Sequence, residues 1–397
     1  MKQLKSFFLL FLIMLASCQG GMNTSLLKEI KLVPVYNPNN GMRIYLNTKG
    51  EQAIDEVFNY ASFFNEGLAA VKSEDFHCKY INEQGETVID ASQYIKVSDF
   101  SHGLAWGIPE ENRDITVAFN KEGHEVFTLE GTPLTVFDEN GIAVYENNGD
   151  YGFVNAKGEK TVIDGYNVQT LCFISQGLIC VSKGGKPYGA MNEKGEVVIP
   201  LEYEQPLRFD VNGCAVIVRE GQWGLINKKN EILIEPQYAL LKVDGNNYFF
   251  VERLEDDDTY RYGTYRYGWC DKNGKIIIEP KWKTDYNFPR ETFFSNGDKA
   301  FLHENEIEEG MDSPTCTYID EKGNEIEFPY CRLVTPFFGQ NNVAIARNGN
   351  KAGIINKKGE VMGEQFIYAV EYLGLKNVID YGCNSLLDIS NETIMHN

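Results

Sequence analysis

The chain has 397 residues, of which 43% are apolar and 24% are charged. This balance excludes global disorder, because disordered chains carry too few apolar residues to bury a core. The 37 Lys and Arg residues stand against 57 Asp and Glu residues, so the formal net charge is −20. A surface this acidic repels phosphate, which argues against a nucleic acid partner and against docking on anionic lipid headgroups. The 22 Tyr and 24 Phe residues favour strands.

The first residues have the pattern of an export signal. Lys2 and Lys5 precede ten apolar residues at 7–16, too few to span a bilayer, because a spanning helix needs about 20. The run ends in the sequence LASC at 15–18, which resembles the lipobox of bacterial lipoproteins. The resemblance implies cleavage before Cys18 and attachment of a diacylglycerol to its thiol. The alternative is an ordinary signal peptide followed by a chance Cys.

A lipid anchor at this position predicts where the protein resides. Each buried CH₂ contributes about 0.8 kcal/mol, so two or three acyl chains hold a protein at a membrane almost permanently. We therefore predict a signal peptide at 1–17 and a lipidated Cys with a tether at 18–40. The expected location is the bacterial cell envelope, at the outer membrane, on its periplasmic or surface face.

The rest of the chain repeats. Nine times an Asn or Asp is followed by two mostly polar residues, a Gly or Asn and a polar residue, with apolar runs on both sides. The Asn or Asp residues occupy positions 47, 82, 120, 155, 192, 227, 271, 320 and 356, which are 35 to 49 residues apart. An Asn or Asp side chain bonds the backbone two residues on, and Gly then takes a left-handed conformation. The pattern predicts one hairpin in each unit, with Asn230 as the left-handed residue of the sixth.

Further residues accompany these hairpins. Four units carry an aromatic residue and Gly shortly before the Asn or Asp: Tyr151-Gly152, Tyr188-Gly189, Trp223-Gly224 and Tyr267-Gly268. A Gly inside a strand indicates that another backbone or ring approaches closely. Pro200, Pro236, Pro280 and Pro329 predict strand ends, because Pro lacks the N–H that a ladder needs. A second box, centred on Gly67, Gly103, Gly141, Gly177 and Gly213, brings each unit to three or four short antiparallel strands.

This combination resembles the WG-repeat family of bacterial proteins, which is named for its Trp-Gly pair. The fullest match is Trp223-Gly224 followed by IEPQY at 234–238, and the resemblance covers roughly residues 41–363. Most units have Tyr in place of Trp, the first three lack the pair, and the eighth has Cys316-Thr317. The resemblance implies a β-repeat fold, with no activity that can be assigned residue by residue.

We therefore predict an all-β fold, a tandem array of about nine antiparallel β-meander repeats at 41–363. One such repeat cannot bury a core alone, so neighbouring repeats must cover each other. The array is either an open superhelix or a propeller-like ring. Because nine units exceed the usual 4–8 propeller blades, we favour an open or incompletely closed array. Residues 364–397 depart from the pattern and are predicted to cap the last unit.

Two units are longer than a pitch of 36 residues, by 8 and 13 residues. Insertions in repeat proteins emerge on one face, often the binding face. The first insertion supplies a candidate binding hairpin with Tyr260, Arg261, Tyr262, Tyr265, Arg266 and Tyr267. Tyr and Arg are common interface anchors, but the same aromatics could instead cover the neighbouring unit while Arg reaches water. The acidic run at 255–258 lacks the spacing of an EF-hand and indicates a solvated loop tip.

The remaining residues give no catalytic, cofactor or metal signature. Besides Cys18 there are eight cysteines, at 78, 172, 180, 214, 270, 316, 331 and 383. No CxxC pair occurs and several lie in apolar runs, so we expect mostly unpaired core thiols.

The favoured hypothesis is a non-enzymatic, membrane-anchored binding or scaffold lipoprotein. It would present its repeat β surface to a protein or glycan of the envelope or the surroundings. The alternative is a glycan-acting hydrolase of the cell envelope. That reaction requires two carboxylates about 5–5.5 Å or about 6.5–9.5 Å apart.

Overall fold

The computed structural model describes residues 29–37, 40–168, 177–210, 212–244, 246–253, 265–284, 300–304, 316–319, 322–328, 332–333, 340–348, 351–366 and 369–370. The 34 elements in these ranges are all β-strands, and they form nine antiparallel sheets, which we call blades 1 to 9. Seven blades have four strands, and blades 6 and 8 have three. The predicted all-β array of nine units is confirmed.

The first five blades contain the following strands. Blade 1 holds β1 (Leu32–Asn37), β2 (Met42–Asn47) and β3 (Gln52–Phe58), and blade 2 holds β4 (Tyr60–Ala61), β5 (Ala69–Lys72), β6 (Cys78–Ile81) and β7 (Thr87–Asp90). Blade 3 holds β8 (Tyr94–Val97), β9 (Leu104–Pro109), β10 (Ile115–Asn120) and β11 (Glu125–Glu130). Blade 4 holds β12 (Thr132–Pro133), β13 (Ile142–Asn147), β14 (Asp150–Asn155) and β15 (Lys160–Ile163), and blade 5 holds β16 (Asn167–Val168), β17 (Leu178–Ser182), β18 (Tyr188–Asn192) and β19 (Val197–Tyr203).

The last four blades complete the array. Blade 6 holds β20 (Cys214–Arg219), β21 (Gln222–Asn227) and β22 (Ile232–Tyr238), and blade 7 holds β23 (Leu240–Asp244), β24 (Asn247–Arg253), β25 (Tyr265–Cys270) and β26 (Ile276–Thr284). Blade 8 holds β27 (Ala300–Glu304), β28 (Cys316–Ile319) and β29 (Glu325–Phe328). Blade 9 holds β30 (Arg332–Leu333), β31 (Val343–Asn348), β32 (Lys351–Asn356) and β33 (Val361–Phe366), and β34 (Ala369–Val370) returns to blade 1.

The return of β34 closes the array into a propeller. It pairs antiparallel with β1, Val35 opposite Val370 and Tyr36 opposite Ala369. A hydrogen bond of 3.0 Å from Asn341 Nδ2 to Thr48 Oγ1 also joins blade 9 to blade 1. The expectation of an open array is therefore wrong, because the two chain ends complete one sheet. The strand β1 lies within the stretch assigned to the tether, and β34 lies within the predicted cap.

The core lies between successive blades. One buried cluster joins Tyr80 and Ile89 of blade 2 to Tyr94 and Phe119 of blade 3. The rings of Tyr94 and Phe119 stack with centroids 5.2 Å apart. Aromatic donors also cross to the next blade, since Tyr45 OH donates to the Ser62 carbonyl at 2.6 Å and Tyr80 OH donates to the Ser98 carbonyl. Over the described residues, buried clusters of this kind join each consecutive pair from blade 1 to blade 8, so these sheets cover the apolar faces of their neighbours, as the repeat length predicts.

Three of the four aromatic–Gly pairs, those at Gly189, Gly224 and Gly268, lie opposite a bulge in the edge strand, whereas Tyr151-Gly152 pairs with a regular edge strand and Gly152 is approached by the Tyr145 ring. Trp223 lies opposite Tyr238 and Leu225 lies opposite Ile234, so two steps along β21 match four steps along β22. A Cβ on Gly224 would lie 2.6 Å from the Ile234 carbonyl oxygen. The predicted close approach at this Gly is confirmed, because only a residue without a side chain leaves room for the bulging backbone.

The prolines lie inside these bulging strands. The strand β22 continues through Pro236, and β19 and β26 continue through Pro200 and Pro280. The expectation that Pro ends the strand is therefore wrong at these three positions, and Pro329 lies outside the described residues. The reason is that these are edge strands, where an N–H that points away from the sheet has no ladder partner to lose.

Candidate functional site

Strand alternation gives the ring two faces. In a four-stranded blade, the connections from first to second strand and from third to fourth strand lie at the same end. We call this end the Asx face, because it carries the eight Asn or Asp turns that lie within the described residues. The three strands of blades 6 and 8 correspond to the second, third and fourth strands of this order. The connections from second to third strand, and from each blade to the next, lie at the opposite end. We call that end the insertion face, because the long segments 254–264 and 305–315 join strands there, although they lie outside the described residues.

The turns of the Asx face share one set of hydrogen bonds. Asn47 Oδ1 accepts the backbone N–H groups of Lys49 at 2.9 Å and Glu51 at 3.1 Å, and Gly50 has a φ of 81°. Both bonds to the side-chain oxygen recur at Asn82, Asn120, Asn155, Asn192, Asn227, Asp271 and Asn356. The predicted hairpins are confirmed at these eight positions, and Asp320 lies outside the described residues.

The sequence analysis missed a second bond in these turns. In six of them the Asn Nδ2 also donates to the carboxylate of the Glu four residues later, at 2.6 to 3.0 Å. The acceptors are Glu51, Glu86, Glu159, Glu196, Glu231 and Glu360. The sequence signal that could have revealed this bond is the recurrence of Glu directly after the left-handed Gly or Asn of the turn. These carboxylates therefore support the scaffold.

Neighbouring blades are also bonded through charged residues of the Asx face. Lys31 Nζ lies 2.7 Å from the Glu83 carboxylate, and Lys121 Nζ lies 2.8 Å from that of Glu66. Burial works against ionisation of Glu66, but Lys121 and the Gly103 N–H outweigh it, so the pKa of this carboxyl is lowered. Each pair joins consecutive blades and holds the loops of this face together.

A buried polar cluster joins blades 6 and 7. Tyr248 OH donates to Asp210 Oδ2, while Asp210 Oδ1 accepts the N–H groups of Asn212 at 2.8 Å and Cys214 at 3.0 Å. Burial raises the pKa of Asp210, and these three donors only partly offset it. Burial also raises the pKa of Asp138, whose Oδ1 accepts two backbone N–H groups in blade 4. The buried carboxyls of Asp210 and Asp138 thus stabilise their own loops by accepting backbone hydrogen bonds.

The insertion face carries an exposed aromatic residue in an unusual conformation. Phe76 follows β5, is 67% exposed, and has a φ of 65°, in the left-handed region that large side chains rarely adopt. Beside it, His77 Nδ1 lies 3.0 Å from the Asp75 carboxylate. Exposed aromatics and strained backbone both occur more often at binding sites than elsewhere. The sequence analysis missed Phe76, since no repeat motif includes it.

The candidate Tyr–Arg hairpin is only partly described, since Tyr260, Arg261 and Tyr262 lie outside the described residues. Tyr267 is 2% exposed, its ring stacks on Trp282 with centroids 5.8 Å apart, and burial raises its pKa. Tyr265 is half-buried against the same cluster. Arg266 pairs with Glu252 on the neighbouring strand, and its side chain is 44% exposed. Tyr267 thus contributes to the packing of blade 7, while Arg266 is accessible.

The described thiols lie in the core. Cys78, Cys180, Cys214 and Cys270 are free and buried, as expected for them, and Cys18 lies outside the described residues. Burial raises the pKa of Cys78 and of Cys214, and that of Cys270 to about 12. A thiol with a raised pKa stays protonated at neutral pH and is a poor nucleophile. Within the described ranges, no three His, Cys, Asp or Glu side chains cluster as metal ligands would.

Comparison with protein families decides the assignment. The model of the WG containing repeat matches five segments, at residues 45–75, 80–106, 188–222, 223–253 and 267–290. The chain is a WG-repeat protein. The resemblance drawn from Trp223-Gly224 is thereby confirmed, and the matched segments include blades 1 and 2, where no aromatic–Gly pair occurs.

Solved structures similar to this WG-repeat protein share little of its sequence. BamB from Moraxella catarrhalis is 10% identical, with 76% of this chain and 94% of that chain covered and a TM-score of 0.34. AztD from Citrobacter koseri is 12% identical, with 86% and 94% covered and a TM-score of 0.38. Hsv2p from Kluyveromyces lactis is 8% identical, with 77% and 94% covered and a TM-score of 0.33.

No curated protein matches the sequence of this WG-repeat protein. Over the described residues, no helix has the length and apolar character required to cross a membrane.

Proposed function

We propose that this WG-repeat protein is a membrane-anchored binding or scaffold protein that presents the insertion face of its ring to a protein or glycan of the envelope or the surroundings. The observation that carries the proposal is a difference between the two faces. The repeated Asn, Gly and Glu residues of the Asx face are engaged in hairpins and blade contacts, whereas the insertion face varies in length and exposes Phe76. Variable loops on a rigid scaffold are where binding residues usually lie.

The anchor is tested by labelling cells with radioactive palmitate. We expect Cys18→Ala to abolish incorporation and to release the protein from membranes, because the thiol that receives the diacylglycerol is gone. Ser17→Thr, which leaves the Cys in place, is the control for effects on export. Label retained by the Cys18→Ala chain would refute the anchor.

The binding face is tested by chemical crosslinking in intact cells followed by purification. We expect Phe76→Ala to lose a crosslinked species that the wild type retains, because Phe76 is the most exposed large apolar side chain among the described residues. Val162→Ala is the matched control, since Val162 is 65% exposed but lies within the outer edge strand of blade 4 and not in a connection of the insertion face. Identical crosslinked species in the wild type and both variants would contradict this assignment.

A second variant probes the first insertion. Replacing residues 255–263 by a short Asn-Gly turn keeps β24 and β25 intact and removes four acidic residues and Tyr260, Arg261 and Tyr262. A crosslinked species lost in this variant as well as in Phe76→Ala would indicate a partner that spans blades 2 and 7.

A further inference from the structure

The outer edge strands of the blades fall into two classes. In blades 1, 5, 6, 7 and 9, two steps along the neighbouring strand match four steps along the edge strand, so these edges bulge. The edges of blades 2, 3, 4 and 8, which are β7, β11, β15 and β29, lack this bulge. Bulges prevent an edge from pairing with another chain, because they interrupt its row of N–H and C=O groups. Four blades therefore lack a protection that the other five carry.

Blade 3 has the longest of these four edges. The strand β11 has six residues, whereas β7, β15 and β29 have four each. Residues 127–130 pair step for step with residues 115–118, and the single register shift of β11 lies beside the Asx turn. Shortness is itself a protection of edge strands. Among the described edges, β11 is therefore the one that combines length with a regular register.

The backbone of β11 presents alternate groups away from the sheet. The Gly131 N–H donates to the Asp114 carbonyl at 3.4 Å, and this bonded pair continues the register of β10 and β11. Bonded and non-bonded pairs alternate in an antiparallel ladder, so Thr128 and Glu130 fall at non-bonded positions. Their N–H and C=O groups therefore point outward, where a further strand can bond them without displacing any part of blade 3.

The side chains of β11 divide between its two faces. Phe127 and Leu129 pack in the cluster that joins blade 3 to blade 4. The exposed side chains are those of Glu125, Val126, Thr128 and Glu130. The strand thus carries an acid at each end and no basic residue. Among the described residues, no Lys or Arg forms an ion pair with either glutamate.

We propose that β11 is a docking site for an extended protein segment, which adds to blade 3 as a fifth strand and carries a basic residue at each end of the paired stretch. In such strand addition, main-chain hydrogen bonds supply affinity and alternate side chains supply specificity. Lys or Arg opposite Glu125 and Glu130 forms favourable cross-strand pairs. The site lies on the circumference of the ring, so it goes beyond the proposed function and depends neither on the anchor nor on Phe76.

A second copy of this chain is a poorer occupant of the same edge. Antiparallel pairing of β11 with its own copy places Glu125 opposite Glu130 at both ends of the paired stretch. Like charges that lie directly opposite each other destabilise a sheet. The two glutamates thus favour a basic segment and disfavour edge-to-edge association of two rings.

The test is titration of the full-length protein with two fluorescent six-residue peptides, followed by anisotropy. Both contain Val-Thr-Val-Thr, flanked by Lys at both ends in the first peptide and by Glu at both ends in the second. We expect saturable binding of the Lys peptide and about tenfold weaker binding of the Glu peptide, because two cross-strand pairs change from attractive to repulsive. The difference should shrink as salt is added, since exposed charges are screened.

Substitutions at Thr128 separate strand addition from other modes of binding. Thr128→Pro removes an outward N–H but no bond to β10, so we expect a folded protein that binds the Lys peptide about tenfold more weakly. Thr128→Val keeps the N–H and the branched side chain, and this matched control should bind like the wild type. Replacing Glu125 and Glu130 together by Gln should weaken binding several-fold and remove most of its salt dependence.

Hydrogen exchange of the wild-type protein locates the added strand without relying on the folding of any variant. With the Lys peptide bound, we expect the amides of Thr128 and Glu130 to exchange several-fold more slowly, and those of the bulged strand β22 to be unchanged. Absence of saturable binding, equal affinity for both peptides, equal affinity of the wild type and a folded Thr128→Pro protein, or protection of another edge would each overturn the proposal. A dimer in sedimentation equilibrium that Thr128→Pro abolishes would identify a second copy as the occupant and contradict the basic segment.

Discussion

At the scale of single residues, the turn of the sixth unit shows what the sequence reveals and what it conceals. The pattern predicts that Asn230 adopts a left-handed conformation, and its φ is 64°. It does not predict that the side chain bonds the preceding blade, where Tyr203 OH donates to Asn230 Oδ1 at 2.6 Å and Asn230 Nδ2 donates to Glu202 at 3.0 Å. Such partners lie almost thirty residues away in sequence, so local turn chemistry carries no information about them.

This contact gives the first prediction. Asn230→Gly keeps the left-handed conformation but removes both hydrogen bonds between blades 5 and 6, and each typically contributes about 0.5–1.5 kcal/mol. We expect the free energy of unfolding, measured by urea denaturation, to fall by about 1–2 kcal/mol. The same change should cost less in a Tyr203→Phe background, where one of the bonds is already absent. Equal costs in the two backgrounds would show that the Tyr203 bond contributes nothing.

At the scale of elements, the Trp223-Gly224 pair and Pro236 belong to one structural feature, the bulge of the edge strand β22. The bulge in β22 brings the Ile234 carbonyl and the Pro236 nitrogen against Gly224, within 2.6 and 2.8 Å of where a Cβ would be. Above it, Trp223 lies opposite Tyr238 on the edge strand. The sequence predicts a close approach but not the bulge, because Pro is read as a strand end unless the strand is known to be an edge. The same arrangement recurs at Gly189 and Gly268.

The second prediction concerns this bulge. Gly224→Ala places a methyl group against backbone atoms that cannot move independently, so we expect a loss of about 2–3 kcal/mol in the free energy of unfolding, the upper range for overpacking. Gly221→Ala is the control, because a Cβ there meets nothing within 4 Å. Its left-handed φ of 74° accounts for a smaller loss of about 1 kcal/mol. A Gly224→Ala protein at least as stable as the Gly221→Ala protein in thermal and urea unfolding would show that the bulge can relax.

At the scale of the whole molecule, the sequence predicts the repeats but not the closure of the array into a ring. Nine turns at a regular pitch indicate nine units, because each Asn and Gly acts locally. Closure depends on Ala369 and Val370, a two-residue strand with no motif, and on the pairing of β1 with a segment more than three hundred residues away. The first strand of several blades has only two residues, as in Tyr60–Ala61 of blade 2. Such a short strand has no sequence pattern from which it could be predicted. The candidate binding residues were the least predictable, since Phe76 lies outside every repeat motif.

The pairing of β1 with β34 gives the third prediction. A chain that ends at Phe366 lacks β34, whereas a chain that ends at residue 375 retains it and serves as the matched control. Two residue pairs are lost in the shorter chain, so we expect about 1–3 kcal/mol less stability. Hydrogen exchange gives the sharper measurement, since backbone amides of residues 33–37 that point away from β2 should exchange faster only in the shorter chain. Equal protection of β1 in both chains would show that the ring is held by side-chain contacts such as Asn341 to Thr48, without the strand pair.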